Sequence, residues 1–262
     1  MLALEQLSPL DVHGHIPSDR SGAFADTLTA AMERYGIARL VVSGMGLGWP
    51  QRPTPADLRT GNNDVVRLIA RLPDRVWGHL YVSLDEPEAS LQMLDEYAGV
   101  EGMVSVKIWV ARKCTDPKGE PVIARAVELG LPMLIHTYFR SGGNMEGESS
   151  PADVAEVARR FPAGRFMAAH LITGAYEWNC KAIRDTPNVF GDIGGNPAEA
   201  GGIEFAVREL GEDRVVFGSD VPCRGFGNPL GKVLGADIPD HVKAKILTDN
   251  PRRALFGEAT IA

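Results

Sequence analysis

The sequence predicts an α/β chain folded as a (β/α)8 TIM barrel. Three observations carry that prediction. Eight short β-rich runs alternate with helical patterns along 262 residues, most of those runs are near-continuously apolar, and metal-ligand residue types end four of them. Strands buried on both faces read as continuous apolar runs, and parallel strands joined by right-handed crossovers close into a barrel at about this length. An open doubly wound sheet would want a glycine-rich phosphate turn after its first strand, and Ile16-Pro17-Ser18-Asp19 offers none.

The elements follow in order. A strand at 8–12 leads into Asp11-Val12-His13-Gly14-His15, and Phe24, Leu28, Ala31, Met32 and Tyr35 then recur at helical spacing. A strand at 37–43 precedes a second helical face of Val65, Leu68, Ile69 and Leu72. Strands at 76–83, 102–109 and 131–136 come next. Ser150-Pro151-Ala152-Asp153 combines an N-cap, a proline at the first helical position and an acidic third residue, ahead of Val154, Val157, Ala158 and Phe161 on one face. Strands at 165–170, 188–193 and 214–220 complete the eight, and Asn250-Pro251 opens a last short helix stopped by Gly257. Neither an internal repeat nor a low-complexity linker interrupts the chain, so 1–262 is expected to form one domain.

A hydrophobic fraction of 44% with 23% charged residues suits a globular protein with a sizeable core. The formal charge of −7 argues against nucleic acid or an anionic membrane as partner. No apolar run approaches the roughly 20 residues of a membrane helix, and Met1-Leu2-Ala3-Leu4-Glu5-Gln6 lacks the features of a signal peptide. Cys114, Cys180 and Cys223 are widely spaced and odd in number, which reads as reduced thiols in a cytoplasmic protein. The sequence leaves open whether copies of the chain associate into a homo-oligomer.

The chemistry concentrates at strand ends. His13 and His15 are two residues apart, so on a strand they point to one face, and two imidazoles converging there suit a zinc-type divalent ion. His136 ends the run Leu131-Pro132-Met133-Leu134-Ile135, His170 ends Phe166-Met167-Ala168-Ala169, and Asp220 ends Val215-Val216-Phe217-Gly218-Ser219. In a barrel these carboxyl ends meet at one face, where active sites are built.

With these residues the chain resembles the metal-dependent amidohydrolase superfamily, in its amidohydrolase 2 branch of compact TIM barrels. The resemblance covers nearly the whole chain. It rests on the H-x-H of the first strand, Lys107 in Val106-Lys107-Ile108-Trp109, His136, His170, Gly218-Ser219-Asp220, and the closing Asn250-Pro251-Arg252-Arg253-Ala254-Leu255-Phe256-Gly257. It implies that His13, His15, His136 and Asp220 hold one divalent ion, most simply Zn2+, with a position left for water. Asp220 would also move the proton. His170 would either bind a second ion or steady a developing oxyanion. Lys107 would be carboxylated between two ions, as in binuclear relatives, or border the site unmodified; failing both, its tip would reach solvent at the barrel mouth. The compact branch favours one ion.

The fifth strand–helix loop, 137–149, is long, polar and glycine-rich, a candidate lid bringing Tyr138, Arg140 and Asn144 over the site. Trp109 and Trp178 lie just beyond strand ends and are candidate walls. Arg112, Arg140 and Arg224 fall in loops on the same face and suit a carboxylate-bearing small molecule. His79 is expected in the core and His241 on the surface, and Cys223 has no base positioned to make it a nucleophile. The expected activity is hydrolysis: the ion lowers the pKa of its water to about 7, and the hydroxide attacks a lactone, amide or ester carbonyl. The alternative from the same ligands is a decarboxylase or hydratase. A barrel that has lost its metal and only binds is the third reading.

Overall fold

Eight parallel strands pair in chain order: β1 (Leu10–Ile16), β2 (Arg39–Gly44), β3 (Val76–Val82), β4 (Met103–Ile108), β5 (Met133–Ile135), β6 (Phe166–Ala168), β7 (Val189–Asp192) and β8 (Val215–Val216). This is a computed structural model, and it describes residues 7–17, 22–46, 48–140, 142–195 and 198–258. Residues 1–6 and the pair Ser18-Asp19, both used in the sequence argument, lie outside the described residues. Main-chain hydrogen bonds bring the last strand back to the first: Val12 N to Phe217 O (3.0 Å), His15 N to Val221 O (2.6 Å) and Asp220 N to His13 O (2.7 Å). The ring is thereby a (β/α)8 barrel.

Helices alternate with the strands: α1 (Ala23–Arg34), α2 (Pro55–Arg71), α3 (Pro87–Tyr97), α4 (Glu120–Glu128), α5 (Pro151–Arg160), α6 (Tyr176–Ile183), α7 (Gly202–Leu210) and α8 (Gly227–Leu234). After β8 and α8 come α9 (Asp240–Ala244) and α10 (Asn250–Phe256), linked by a π-helical turn at Lys245–Asp249. The Ser150–Asp153 capping box starts α5, and Thr54–Asp57 makes the same reciprocal pair at the head of α2. Among the described residues, no helix is long and apolar enough to cross a membrane.

Strand parity divides the core in two. Leu40, Val42, Met133, Ile135, Phe166, Ala168, Val189 and Val215 belong to a large cluster shared with the helices. Their alternates Val41, Leu134, Met167, Phe190 and Val216 join Leu10, Val12, Ala254 and Leu255 in a smaller one. Two residues further along, the same inward rows turn polar: Val41 gives way to Ser43, Leu134 to His136, and Phe190 to Asp192. Because a strand's side chains repeat every two residues, each row is apolar below and polar above.

Several strands are shorter than their apolar runs, and two of these stop short of a residue at positive φ. β6 stops at Ala168 because His170 turns into the left-handed region (φ 59°), and the ladder of β8 stops at Val216 ahead of Asp220 (φ 66°). β1 runs longer than expected, so His13 and His15 lie within it and not beyond its end, with a register shift between Asp11 and Gly14.

Candidate metal centre

His13, His15 and Asp220 converge so that one ligand atom from each lies within 4.8 Å of the others. His13 Nε2 is 3.2 Å from His15 Nε2, and Asp220 Oδ1 is 3.7 Å and 3.3 Å from these two nitrogens. The far side of each ring is fixed. His13 Nδ1 meets Asp192 Oδ2 at 2.6 Å, and His15 Nδ1 meets Ser43 Oγ at 2.7 Å. A carboxylate on one ring nitrogen sets the tautomer and aims the other nitrogen's lone pair. The His13 Nε2 lone pair, 3.2 Å from His15 Nε2 and 3.7 Å from Asp220 Oδ1, is unfavourable there unless a hydrogen or a positive charge lies beside it. Lys107 Nζ, 3.1 Å from His13 Nε2, supplies one such charge. Two imidazoles and a carboxylate also match the preferences of zinc, iron or manganese, so the residues fit a divalent ion.

Electrostatics point the same way. Burial, aided by the charge of Lys107, keeps His13 neutral well below the usual histidine range. Burial likewise lowers His15 to about 4, despite its hydrogen bond to Asp220. Burial raises Asp220, but the hydrogen bond to His15 and the neighbouring His170, His15 and Lys107 outweigh it and hold the carboxyl below its ordinary range. Burial lowers Lys107 to about 8, against the pull of Asp220 and Asp192. The Lys107 side chain is wholly buried at the site, so the reading in which its tip reaches solvent is corrected.

His136 lines the same cavity but stands outside the trio. Its Nε2 is 2.9 Å from Glu148 Oε1, a fully buried carboxylate that also accepts from Arg140 Nε and from Met145 N, each at 3.0 Å. Burial raises Glu148, yet the bonds to His136, Arg140 and the Met145 amide prevail and bring it to about 2. His170 is also outside the trio: its Nδ1 donates to Gly194 O at 3.0 Å, and burial lowers it to about 3.

The cavity above the trio has a volume of about 250 Å3 and is lined by Met45, Trp49, Trp109, Tyr138, Arg140, Cys223 and Arg224 together with His15, His136, His170 and Asp220. Trp49, His170 and Asp220 are the only non-glycine residues at positive φ among those described, and all three line it. Such conformations cost about 1–3 kcal/mol each and collect at functional sites.

Three residues placed on this face by the sequence, Trp178, Arg112 and Asn144, do not line the cavity. Trp178 is 75% exposed on α6 and does not line the cavity, because the helix turns it outward. Arg112 is held by Asp85 and Asp116 beside a different pocket. Asn144 braces the fifth loop through Arg140 N and Tyr138 O. Cys223 lines the cavity, but burial pushes its thiol up to about 11, the opposite of an activated nucleophile. His79 is buried between Val12 O and Ser105 Oγ, and the exposed His241 meets Glu212 at 3.3 Å.

Asp192, Ser43, Glu148 and Trp49 were missed by sequence reasoning. Asp192 could have been found, since it stands one residue before the end of the seventh apolar run, much as Asp220 ends the eighth. Nothing local distinguishes the other three. Glu148 anchors 137–149 to the site, so Glu148→Gln should loosen that loop by on the order of 2 kcal/mol, about 30-fold in local opening. Amide hydrogen exchange at Tyr138 and Glu148 measures it. Unchanged protection would mean that the loop is held by other contacts.

A model of the family described as Amidohydrolase matches residues 10–257. No curated protein matches the chain. Among solved structures, the chain is similar to 5-carboxyvanillate decarboxylase from Sphingomonas paucimobilis, with 15% identity, a TM-score of 0.75, and coverage of 95% of this chain and 99% of that one. It is similar to a dihydroxybenzoic acid decarboxylase from Polaromonas sp. JS666 solved with manganese and the inhibitor 2-nitroresorcinol, at 14% identity and TM-score 0.74 over 95% and 97% of the two chains. It is also similar to 4-oxalomesaconate hydratase from Rhodopseudomonas palustris, at 16% identity and TM-score 0.68 over 94% and 95%. At these identities the likeness is one of fold.

Proposed function

The chain belongs to the amidohydrolase family, whose model spans residues 10–257, and on that premise we propose a divalent-metal-dependent lyase that decarboxylates or hydrates a small aromatic or unsaturated carboxylate. One observation carries this reading. The trio opens into a cavity of about 250 Å3 walled by Trp49, Trp109 and Tyr138, with Arg140 and Arg224 lining it as well. Aromatic walls suit a planar conjugated molecule, and guanidinium groups match a carboxylate. The volume lies just below the usual range for drug-sized ligands and suits a small molecule. The activities named for the similar structures, two decarboxylases and a hydratase, support the same class over the hydrolysis expected from sequence.

His13, His15 and Asp220 would hold the ion, with His136 beside them as a further donor. When bound, a divalent ion supplies Lewis-acid polarisation of a substrate oxygen. Imidazole donors suit zinc and carboxylate donors suit manganese. We take one ion, with Lys107 as an unmodified amine. Lys107→Ala should then keep close to one metal per chain and an activity indifferent to bicarbonate; two ions in the wild type, with one lost in the variant, would reverse this.

Arg224 is the first choice for the substrate carboxylate. It donates to Cys223 O at 2.9 Å and has no carboxylate partner among the described residues, whereas Arg140 already carries Glu148. Donation of Nδ1–H to the Gly194 carbonyl leaves Nε2 of His170 as a proton acceptor on a ring that lines the cavity. Asp220 then moves a proton to or from the reacting carbon or a water molecule.

The protein loaded with Mn2+ or Zn2+ should be incubated with hydroxybenzoates, unsaturated dicarboxylates and lactones, following carbon dioxide release and ultraviolet absorbance. Carbon dioxide release or water addition is expected. Turnover confined to lactones would reject the lyase.

A further inference from the structure

Lys232 lies on α8, outside the cavity lining, yet only 6% of it is exposed. A buried ammonium is expensive unless it is hydrogen-bonded. Its Nζ donates to two main-chain carbonyls, Ile193 at 3.1 Å and Gly195 at 2.7 Å. These flank Gly194, in the turn that follows β7.

That turn touches the metal centre at two points. Asp192, at its start, receives Gly194 N on Oδ1 (2.8 Å) and meets His13 Nδ1 with Oδ2 (2.6 Å). Gly194 O accepts from His170 Nδ1. The turn is also pressed against the site. A Cβ on Gly194 would fall 3.0 Å from both His13 Nδ1 and Asp192 Oδ2, and one on Gly195 would fall 2.5 Å from His170 Nδ1. Gly195 is at φ 71°, so a side chain there is excluded by conformation as well as by space. Glycines leave a backbone with little stiffness of its own, and an external clamp on the carbonyls at either side of Gly194 supplies it.

We propose that Lys232 is a positioning residue for the metal centre: by holding the Ile193 and Gly195 carbonyls it fixes the turn whose Asp192 carboxylate and Gly194 carbonyl set the ring orientation and tautomer of His13 and His170. The ammonium touches neither histidine. It acts through one rigid turn on two functional rings, reaching in from the helical layer to the barrel mouth. The inference rests on the site described above and not on which reaction that site performs.

Histidine side-chain 15N–1H correlation spectra of the metal-free protein test it, with melting temperature measured alongside. In the wild type, His170 should show a single tautomer protonated at Nδ1. In Lys232→Met, of similar length but without donors, the His170 and His13 ring nitrogens should move toward the averaged shifts of mixed tautomers. His79, on β3 and held by Val12 O and Ser105 with no hydrogen bond to the turn or to Lys232, should stay in place. Mn2+ affinity should fall at least about 10-fold, the range for loss of an orienting partner. Should Lys232→Met fail to fold, Lys232→Gln decides, since it keeps a donor in the buried site but is too short to span both carbonyls. Wild-type His13 and His170 signals and Mn2+ affinity in a folded variant, even with a lowered melting temperature, would overturn the proposal and leave Lys232 a structural lysine only.

Discussion

The wild type is expected to purify with close to one divalent ion per chain, and His13→Ala with little of it, binding added Mn2+ or Zn2+ at least 100-fold more weakly. The ring is central to the cluster. Its Nε2 faces His15, Asp220 and Lys107, and its Nδ1 is the anchor for Asp192. Loss of an outer-sphere partner alone typically costs about 10–100-fold in metal affinity, so loss of a ligand should exceed that. Removal also leaves Asp192 buried without its imidazole partner, a carboxyl that burial already lifts to about 7, so some fall in melting temperature should accompany the metal loss. Elemental analysis and metal titration give the result, and His241→Ala, exposed on α9, is the control. Undiminished metal in the His13 variant would mean that the ion, and with it the chemistry, is somewhere else.

Asp220→Asn should lower turnover by about 10² to 10⁴-fold, the usual contribution of one positioned acid–base group, while weakening metal binding less than His13→Ala does. Asparagine keeps an oxygen for the ion and for the His15 contact but cannot carry the proton. It also tolerates the left-handed conformation found at this position (φ 66°) better than most residues, so the loss is not a folding artefact of the turn. Rates on the best substrate from the carboxylate panel, with metal content measured in the same samples, separate the two effects. Near-wild-type turnover at full metal occupancy would remove Asp220 from proton transfer and leave it a ligand alone.

Much of this architecture is legible locally. Eight apolar runs, the two-residue spacing of His13 and His15, and His136, His170 and Asp220 at the ends of later runs require only the period of a strand and the rule that barrel strands present their carboxyl ends on one face. The Ser150–Asp153 cap is equally local, since its partners are three residues apart. Trp178 shows the limit of such reasoning: closeness to a strand end in sequence says nothing about which side of the next helix a residue occupies.

What the sequence by itself determined is therefore the barrel and the face on which the candidate metal donors gather. The tertiary structure decided how those donors are aimed. Asp192 meets His13 across 179 positions, Ser43 meets His15 across 28, Lys107 meets His13 across 94, and Lys232 reaches the turn after β7 across 37 and 39. It also turned His136 onto Glu148 and withdrew Arg112 to Asp85 and Asp116. The physical reason is that strand periodicity dictates which way a side chain points, whereas its hydrogen-bond partner depends on ring closure and loop packing, where contacts join residues far apart in the chain and carry no periodic signal.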